Sequence, residues 1–281
     1  MRPASSVALV LVAASVVGGC ASSDERADGS AATTITSSAP DTTPVPPTAA
    51  VVSEQEVEAT FRQGLGKADD GWVFSTNSAL YRTDDELVHT NQNEAAIPPD
   101  LLAQGFDHIG DVDVVGDVIY VPLEQGDYDA DRQLMARYDL ATLGYLDHVE
   151  VAQSHLAWVS VDADATTAWS MSGFTDDEVL RYDVSAGWAP LEPLALDATV
   201  ERVQGGDVRD GYLWLSTDDS TDGVYRVDLE TGHVDSLGSI GRIDGEGEGI
   251  DATVLPSGDL HVLTVDAAFV PIRLVHLAVS P

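Results

Sequence analysis

Residues 210–217 read DGYLWLST, and residues 70–76 carry nearly the same phrase, DGWVFST. Each phrase is followed by a second near-match, GVYRVD at 223–228 and ALYRTD at 79–84. An Asp-Gly pair followed by alternating apolar residues is typical of a strand that leaves a tight turn. The repetition therefore indicates that one hairpin unit recurs along the chain.

Three further phrases set the period of the repeat: ARYDLATL, LRYDVSAG and YRVDLETG. Their shared aspartates, Asp139, Asp183 and Asp228, are 44 and 45 residues apart. Upstream strands centred on Tyr120, Trp169, Trp214 and His261 repeat at similar spacings, which gives a period of about 46 residues. A unit of three or four short strands repeated at this length is typical of an all-β fold, the β-propeller.

Dividing residues 50–281 by this period predicts five blades, with six as the alternative if residues 50–70 hold a degenerate unit. The predicted blades cover residues 60–105, 106–150, 151–197, 198–241 and 242–281. The preceding stretch VVSEQEVEATF, at 51–61, is expected to add a strand to the last blade and close the ring. Residues 54–62 are the one helical candidate in this part of the sequence.

The N-terminus, MRPASSVALVLVAASVVGGC, has the layout of an export signal, with an apolar run too short to span a bilayer. Its last residues, VGGC, resemble the lipobox of bacterial lipoproteins. That resemblance implies cleavage after residue 19 and acylation of Cys20, with a plain secretory peptide as the alternative. Residues 20–49 are rich in Ser, Thr, Ala and Pro and predict a disordered tether. We therefore expect an exported protein, lipid-anchored to the outer face of the cell membrane.

Charge is the strongest compositional feature, with 48 acidic residues against 13 Lys and Arg and a net charge of −35. Such a charge repels nucleic acid and anionic headgroups, so we expect no nucleic-acid partner and membrane contact through the lipid anchor only. The negative charge attracts cations and basic partners. We expect the ligand to be an unknown protein or small molecule. A general role in solubility is the alternative explanation of the charge.

Polar residues cluster where the first strand of each blade is predicted, and we place them on one rim of the propeller. The ligand-binding candidates there are His108, Asp111, Trp158, Gln204 and Glu246. The metal candidates, for a Ca²⁺ at the channel mouth, are Asp113, Asp162, Asp207, Glu248 and Asp251. The recurrent aspartates have an equally simple structural explanation, in which each accepts hydrogen bonds from backbone amides of its own or the next blade.

A second calcium candidate is the hairpin DDSTDG at 218–223. Asp218, Ser220 and Asp222 have the spacing of the first half of a helix-loop-helix calcium loop. The acid required at the twelfth position is replaced by Leu229, so a full site of that kind is not expected. A solvated hairpin is the alternative.

The phrases VYRVDLETG at 224–232 and LPSGDLHVLTV at 255–265 resemble the blade repeats of secreted YVTN/NHL propellers. The phrase EGEGID at 246–251 resembles strand openings of gluconolactonase-like propellers. The first resemblance implies the propeller fold. The blade period and the acids on one rim favour a binding or scaffolding module, which is the function we expect. The second resemblance implies, as the alternative, a metal-dependent hydrolase or lactonase. In that enzyme Glu248, Asp207 and Asp113 would hold the metal, and His108 or Asp111 would act as the base.

Overall fold

The Asp-Gly pair of the opening phrase forms the turn that its sequence predicts. Asp210 has a φ of 54° and Gly211 a φ of 81°, and the flanking residues Arg209 and Tyr212 are paired. Two successive residues with positive φ make the type I′ turn, whose twist matches that of a β-hairpin. The phrase DGYLWLST is therefore a turn followed by the second strand of a blade.

A computed structural model describes residues 46–240, 245–266 and 270–280. The predicted signal peptide, Cys20 and the tether up to residue 45 lie outside these ranges. The described residues form five antiparallel sheets. Their innermost strands contact one another in a closed ring, which makes a five-bladed β-propeller. The five-blade prediction is confirmed.

The first three blades follow one another along the chain after an N-terminal strand, β1 (Thr48–Val57). Blade one contains β2 (Gly64–Ala68), β3 (Gly71–Ser75), β4 (Leu80–Thr83) and β5 (His89–Asn93). A short helix, α1 (Pro99–Leu102), leads to blade two. Blade two contains β6 (Phe106–Ile109), β7 (Asp113–Val115), β8 (Val118–Gln125), a 3-10 turn (Tyr128–Ala130), β9 (Gln133–Asp139) and β10 (Gly144–Val151). Blade three contains β11 (Ser160–Val161), β12 (Thr167–Ser170), β13 (Thr175–Asp183), β14 (Ala189–Pro190) and β15 (Leu194–Glu201).

The last two blades complete the ring. Blade four contains β16 (Val203–Arg209), β17 (Tyr212–Thr217), β18 (Gly223–Asp228) and β19 (Val234–Ser239). Blade five contains β20 (Gly245–Asp251), β21 (Leu260–Asp266) and β22 (Ile272–Ser280). No helix in the described ranges is long and apolar enough to cross a bilayer.

The ring closes through the N-terminal strand. β1 pairs antiparallel with β22, from Thr48 opposite Ser280 to Val57 opposite Ile272, so one sheet joins the two ends of the described chain. The closing strand predicted at 51–61 is confirmed, and the helix candidate at 54–62 is wrong because the segment satisfies its backbone groups in this ladder.

Apolar side chains fill the spaces between neighbouring blades. Phe61 and Phe74, for example, stack with their ring centroids 4.3 Å apart where blades one and five meet. Comparable buried clusters lie at the other blade contacts. Removing this surface from water holds the blades together, at about 25 cal/mol per Å² of apolar area. Polar side chains line much of the central channel.

Candidate functional site

One buried carboxylate divides the central channel into two blind recesses. Asp111 accepts hydrogen bonds from the Leu65 amide of blade one (2.9 Å) and the Ile250 amide of blade five (3.2 Å). Glycine at 205 makes room for it, since a Cβ there would lie 2.7 Å from Asp111 Oδ2. Burial raises the pKa of Asp111 well above its usual value, against the opposing effect of the two amides. We call the end where the innermost strands begin the upper mouth, and the opposite end the lower mouth.

The single rim predicted from the sequence is therefore wrong. The innermost strands run through the channel, so residues at their two ends open to opposite faces. His108, Gln204 and Glu248 line the upper mouth. Asp113, Asp207 and Asp251 line the lower mouth, a recess of about 480 Å³.

The aspartates of the lower mouth join each blade to the next. Asp113 Oδ2 accepts from the Val161 amide (2.6 Å), Asp207 Oδ2 from the Ala252 amide (2.7 Å) and Asp251 Oδ2 from the Lys67 amide (2.6 Å). In every case the donor lies in, or directly after, the innermost strand of the following blade. These hydrogen bonds to backbone amides are the structural alternative to metal binding that the sequence left open. The carboxylates are therefore used to hold neighbouring blades together.

Asp162 does not belong to this set. The residue that faces the aromatic of the second strand in blade three is Ser160, opposite Trp169, just as Asp207 faces Trp214 in blade four. Ser160 Oγ accepts from the Val208 amide at 2.9 Å and so takes the aspartate's place. The hairpin of blade three is two residues longer than that of blade four, so Asp162, seven residues before Trp169, does not face it as Asp207 faces Trp214. Asp162 instead accepts a hydrogen bond from the indole of Trp169 at 3.0 Å.

The predicted metal ligands do not converge on one ion. Glu248 opens to the upper mouth while Asp113 and Asp207 line the lower mouth, so the hydrolase ligand set is divided. In the described part of the chain, no three His, Cys, Asp or Glu side chains are grouped to hold a metal. The second candidate, the hairpin at 218–223, is not such a group either. Its Asp218 forms an ion pair with Arg202, and its Asp222 is buried.

The upper mouth is a small polar cavity of about 120 Å³ to which all five blades contribute. It is lined by residues that bear hydrogen-bonding groups or leave space for them: Gln63, His108, Gly110, Asp111, Glu124, Tyr128, His155, Ala157, Gln204 and Glu248. Three of the predicted ligand-binding residues, His108, Asp111 and Gln204, are brought together here. Glu246 lines an adjoining recess beside Glu248.

Trp158 is misplaced in the predicted ligand set. Its indole is fully buried, with Gly206 packed against the ring, between blades three and four. A Trp in an interblade core cannot reach the channel.

A carboxyl and an imidazole face each other at the side of the cavity. Glu124 Oε1 lies 3.6 Å from His155 Nε2 and accepts a hydrogen bond from the Leu156 amide. Burial raises the pKa of Glu124 to about 7 and lowers the pKa of His155 to about 4. His108 is close enough to lower the His155 pKa further, and burial lowers its own pKa. Both imidazoles are therefore neutral at pH 7.

Four lining residues with polar side chains were not predicted from the sequence: Gln63, Glu124, Tyr128 and His155. A signal for His155 was present, because it follows His108 by 47 residues, one repeat period. Glu124 was also detectable, as an acid at the end of the buried strand VIYVPLEQ, just before the hairpin.

Comparison with other proteins gives distant structural neighbours only. No protein-family model matches the sequence, and a search of curated proteins gives no match. The chain is similar to a Kuenenia stuttgartiensis hydrazine synthase chain, at 12% identity and a TM-score of 0.45 over 75% of this chain and 57% of that one. It is also similar to a luciferin-regenerating enzyme, at 12% identity and a TM-score of 0.49 over 77% of each chain. At this identity neither likeness extends to function, and the chain is described by its architecture, a five-bladed β-propeller.

Proposed function

We propose that this protein is an exported, lipid-anchored β-propeller that binds a ligand in its upper mouth. The observation that carries the proposal is a set of hydrogen-bonding groups that the fold does not use. Among the described residues, the imidazole of His108 and the side-chain amide of Gln204 have no hydrogen-bond partner, and Glu124 uses only Oε1. His108 and Gln204 are half-buried and Glu124 is buried, and unused hydrogen-bonding groups that face a cavity favour a ligand or water.

The lower mouth is a poorer candidate for the binding site than the upper mouth. Its aspartates have amide partners from neighbouring blades, so their loss would affect the fold first. The upper mouth contains side chains without hydrogen-bond partners in the described ranges, and these are available to a ligand. The acidic hairpins at 127–131 and 218–222 lie at the same end of the propeller. Binding there would leave the interblade hydrogen bonds unchanged.

Hydrolysis is the second candidate function, and Glu124 favours it. A buried carboxyl with a pKa near 7 is suited to general acid-base catalysis at neutral pH. His155, 3.6 Å away, would orient the group or exchange a proton with it. This candidate requires no metal, and its substrates would be small esters or lactones that fit the cavity.

Thermal unfolding of the purified protein tests the binding proposal. The compounds are CaCl₂ after EDTA treatment, NaCl of equal ionic strength, simple sugars, alkylamines and small lactones. A ligand at a hundred times its Kd stabilises the folded state by about 2.7 kcal/mol. We expect at least one class to raise the Tm of the wild type and to raise that of Gln204→Ala less. The lactones are also assayed for turnover.

Asp210→Asn is the matched control, because Asp210 lies at the lower mouth with an exposed side chain. It should respond to every compound as the wild type does. The proposal is wrong if no class stabilises the wild type, or if Gln204→Ala and the wild type respond equally. A rise with CaCl₂ that NaCl reproduces is screening of the net charge and does not count as binding.

A further inference from the structure

Three aromatic rings form a partly exposed wall beside the upper mouth. Tyr128, from the hairpin of blade two, packs against His155 with centroids 5.2 Å apart and against Phe174 of blade three at 6.0 Å. The rings of His155 and Phe174 lie 4.5 Å apart. Three segments distant in sequence thus bring these rings together, and we call Tyr128, His155 and Phe174 the aromatic wall.

The aromatic wall is accessible on its outer side and continuous with the cavity on its inner side. Phe174 is 46% exposed and Tyr128 is 38% exposed, whereas Tyr128 and His155 also line the cavity. Two large rings held at a polar opening have no role in the interblade cores. Exposed aromatic faces at a cavity mouth are typical of ligand recognition, by stacking or by attraction of a cation.

The carboxyl of Glu124 has no Lys or Arg beside it in the described lining, whereas Glu248 also borders the adjoining recess that contains Arg62. None of the described lining residues is Lys or Arg. The side chain of Glu248 is hydrogen bonded to another acid, Glu246, and Glu124 Oε2 has no partner in the described ranges. Arg202, which stands near the mouth, is already paired with Asp218. A positive charge inside the cavity would therefore supply the counter-charge that Glu124 lacks.

The other groups of the cavity would not oppose a cation. Both imidazoles are neutral at pH 7, as described above, and Gln63 and Gln204 are neutral amides whose oxygens accept hydrogen bonds from N–H donors. A bare metal ion is a poorer match, because the described residues contain no group of three ligands for it. An organic cation needs only one or two carboxylates together with an aromatic face.

We propose that the upper mouth binds an organic cation, with an ammonium or guanidinium group among Glu124, Glu248 and Gln204 and its alkyl chain against the aromatic wall. The inference rests on the proposed binding function and names its ligand class. The cation is either a small free amine or a basic side chain of a partner protein.

Calorimetric titration with butylammonium chloride tests the inference, with butanol as the uncharged analogue of similar shape. We expect butylammonium to bind and butanol to bind at least tenfold more weakly. Glu124→Gln and Phe174→Ala should each weaken butylammonium binding by about tenfold. Asp210→Asn and Leu146→Ala are matched controls, since both side chains are exposed away from the upper mouth, and neither should change the affinity.

The pH dependence gives a readout that loss of structure would not mimic. Because the cation must displace a proton from Glu124, its affinity should rise about tenfold from pH 6 to pH 8. The groups around Glu124 are His155, His108 and Tyr128, with Asp111 and Glu248 deeper in the cavity. Tetramethylammonium, whose charge is fixed, serves as a second probe. In Glu124→Gln the Glu124 contribution disappears, and any remaining slope belongs to His108, Asp111 and Glu248.

The source of the cation is decided by a capped peptide with a single lysine. Binding at least tenfold tighter than butylammonium indicates a partner protein, and equal or weaker binding indicates a free amine. Equal binding of butanol, or equal losses in Glu124→Gln and Asp210→Asn, overturns the inference. If butylammonium fails while another compound class stabilises the wild type more than Gln204→Ala, only the ligand class is wrong. If every class fails, the binding function is wrong as well.

Discussion

Glu124 illustrates how one buried acid links stability to pH. Its pKa is raised from 4.5 to about 7, so the folded state holds the proton more tightly than the unfolded chain does. Below about pH 4.5 both states are protonated and Glu124 has no effect. As pH rises to about 7 the unfolded chain ionises first, and the folded state loses on the order of 3 kcal/mol relative to it.

We therefore predict that Glu124→Gln is more stable than the wild type at pH 8 by this order of magnitude, and nearly equal to it at pH 4.5. Urea unfolding at several pH values measures the difference. Subtracting the two proteins cancels the general repulsion among the other acids. A difference that stays constant from pH 4.5 to pH 8 would show that folding does not raise the pKa of Glu124.

β1 shows what a single element contributes to a closed ring. Most of its side chains are exposed, so its stabilising effect comes from the hydrogen-bonded ladder with β22 and not from apolar burial. Without it, β22 becomes an unprotected edge that invites pairing with other chains. β1 thus contributes to the fold by completing the sheet of blade five.

Deleting residues 48–57 should lower the free energy of unfolding by at least about 2 kcal/mol and make the protein prone to aggregate. Chemical denaturation and light scattering are the measurements. Deletion of ten residues from the predicted tether, 31–40, is the length-matched control and should leave both unchanged. Equal stability of the two deletions would mean that the ring does not depend on β1.

The whole molecule is expected to remain on a membrane through Cys20. One acyl chain binds reversibly and two or more hold a protein stably. We predict that Cys20→Ala moves the protein from the membrane fraction to the soluble fraction without changing its Tm. Fractionation with palmitate labelling is the measurement, and Ser22→Ala is the control. Membrane retention of an unlabelled Cys20→Ala protein would contradict lipid anchoring.

Sequence periodicity was sufficient for the architecture because every blade repeats the same hairpin chemistry. The turn at Asp210 and Gly211, the strand after it and the closing role of residues 51–61 all follow from local pattern. The site was harder to predict because it depends on where strands end in three dimensions. Asp111 and Asp113 are two residues apart, yet one plugs the channel and the other opens to the lower mouth.

Alignment errors account for most of the remaining differences. A two-residue longer hairpin in blade three made Asp162 look equivalent to Asp113, although Ser160 holds that position. Two of the three residues of the aromatic wall, Tyr128 and Phe174, had no sequence signal. Tyr128 and Phe174 are 46 residues apart in two irregular loops, and only the packing of neighbouring blades brings their rings together.

The plug at Asp111 also limits the number of blades that this sequence can close. Through its own amide, its carboxylate and the glycines around it, this one residue touches all five blades. An aspartate side chain has a single methylene, so it bridges only a narrow bore. A duplicated sixth blade would widen the ring, carry the amides of Leu65 and Ile250 out of reach, and turn two closed recesses into an open pore. The length of the Asp111 side chain thus limits the circumference of the ring.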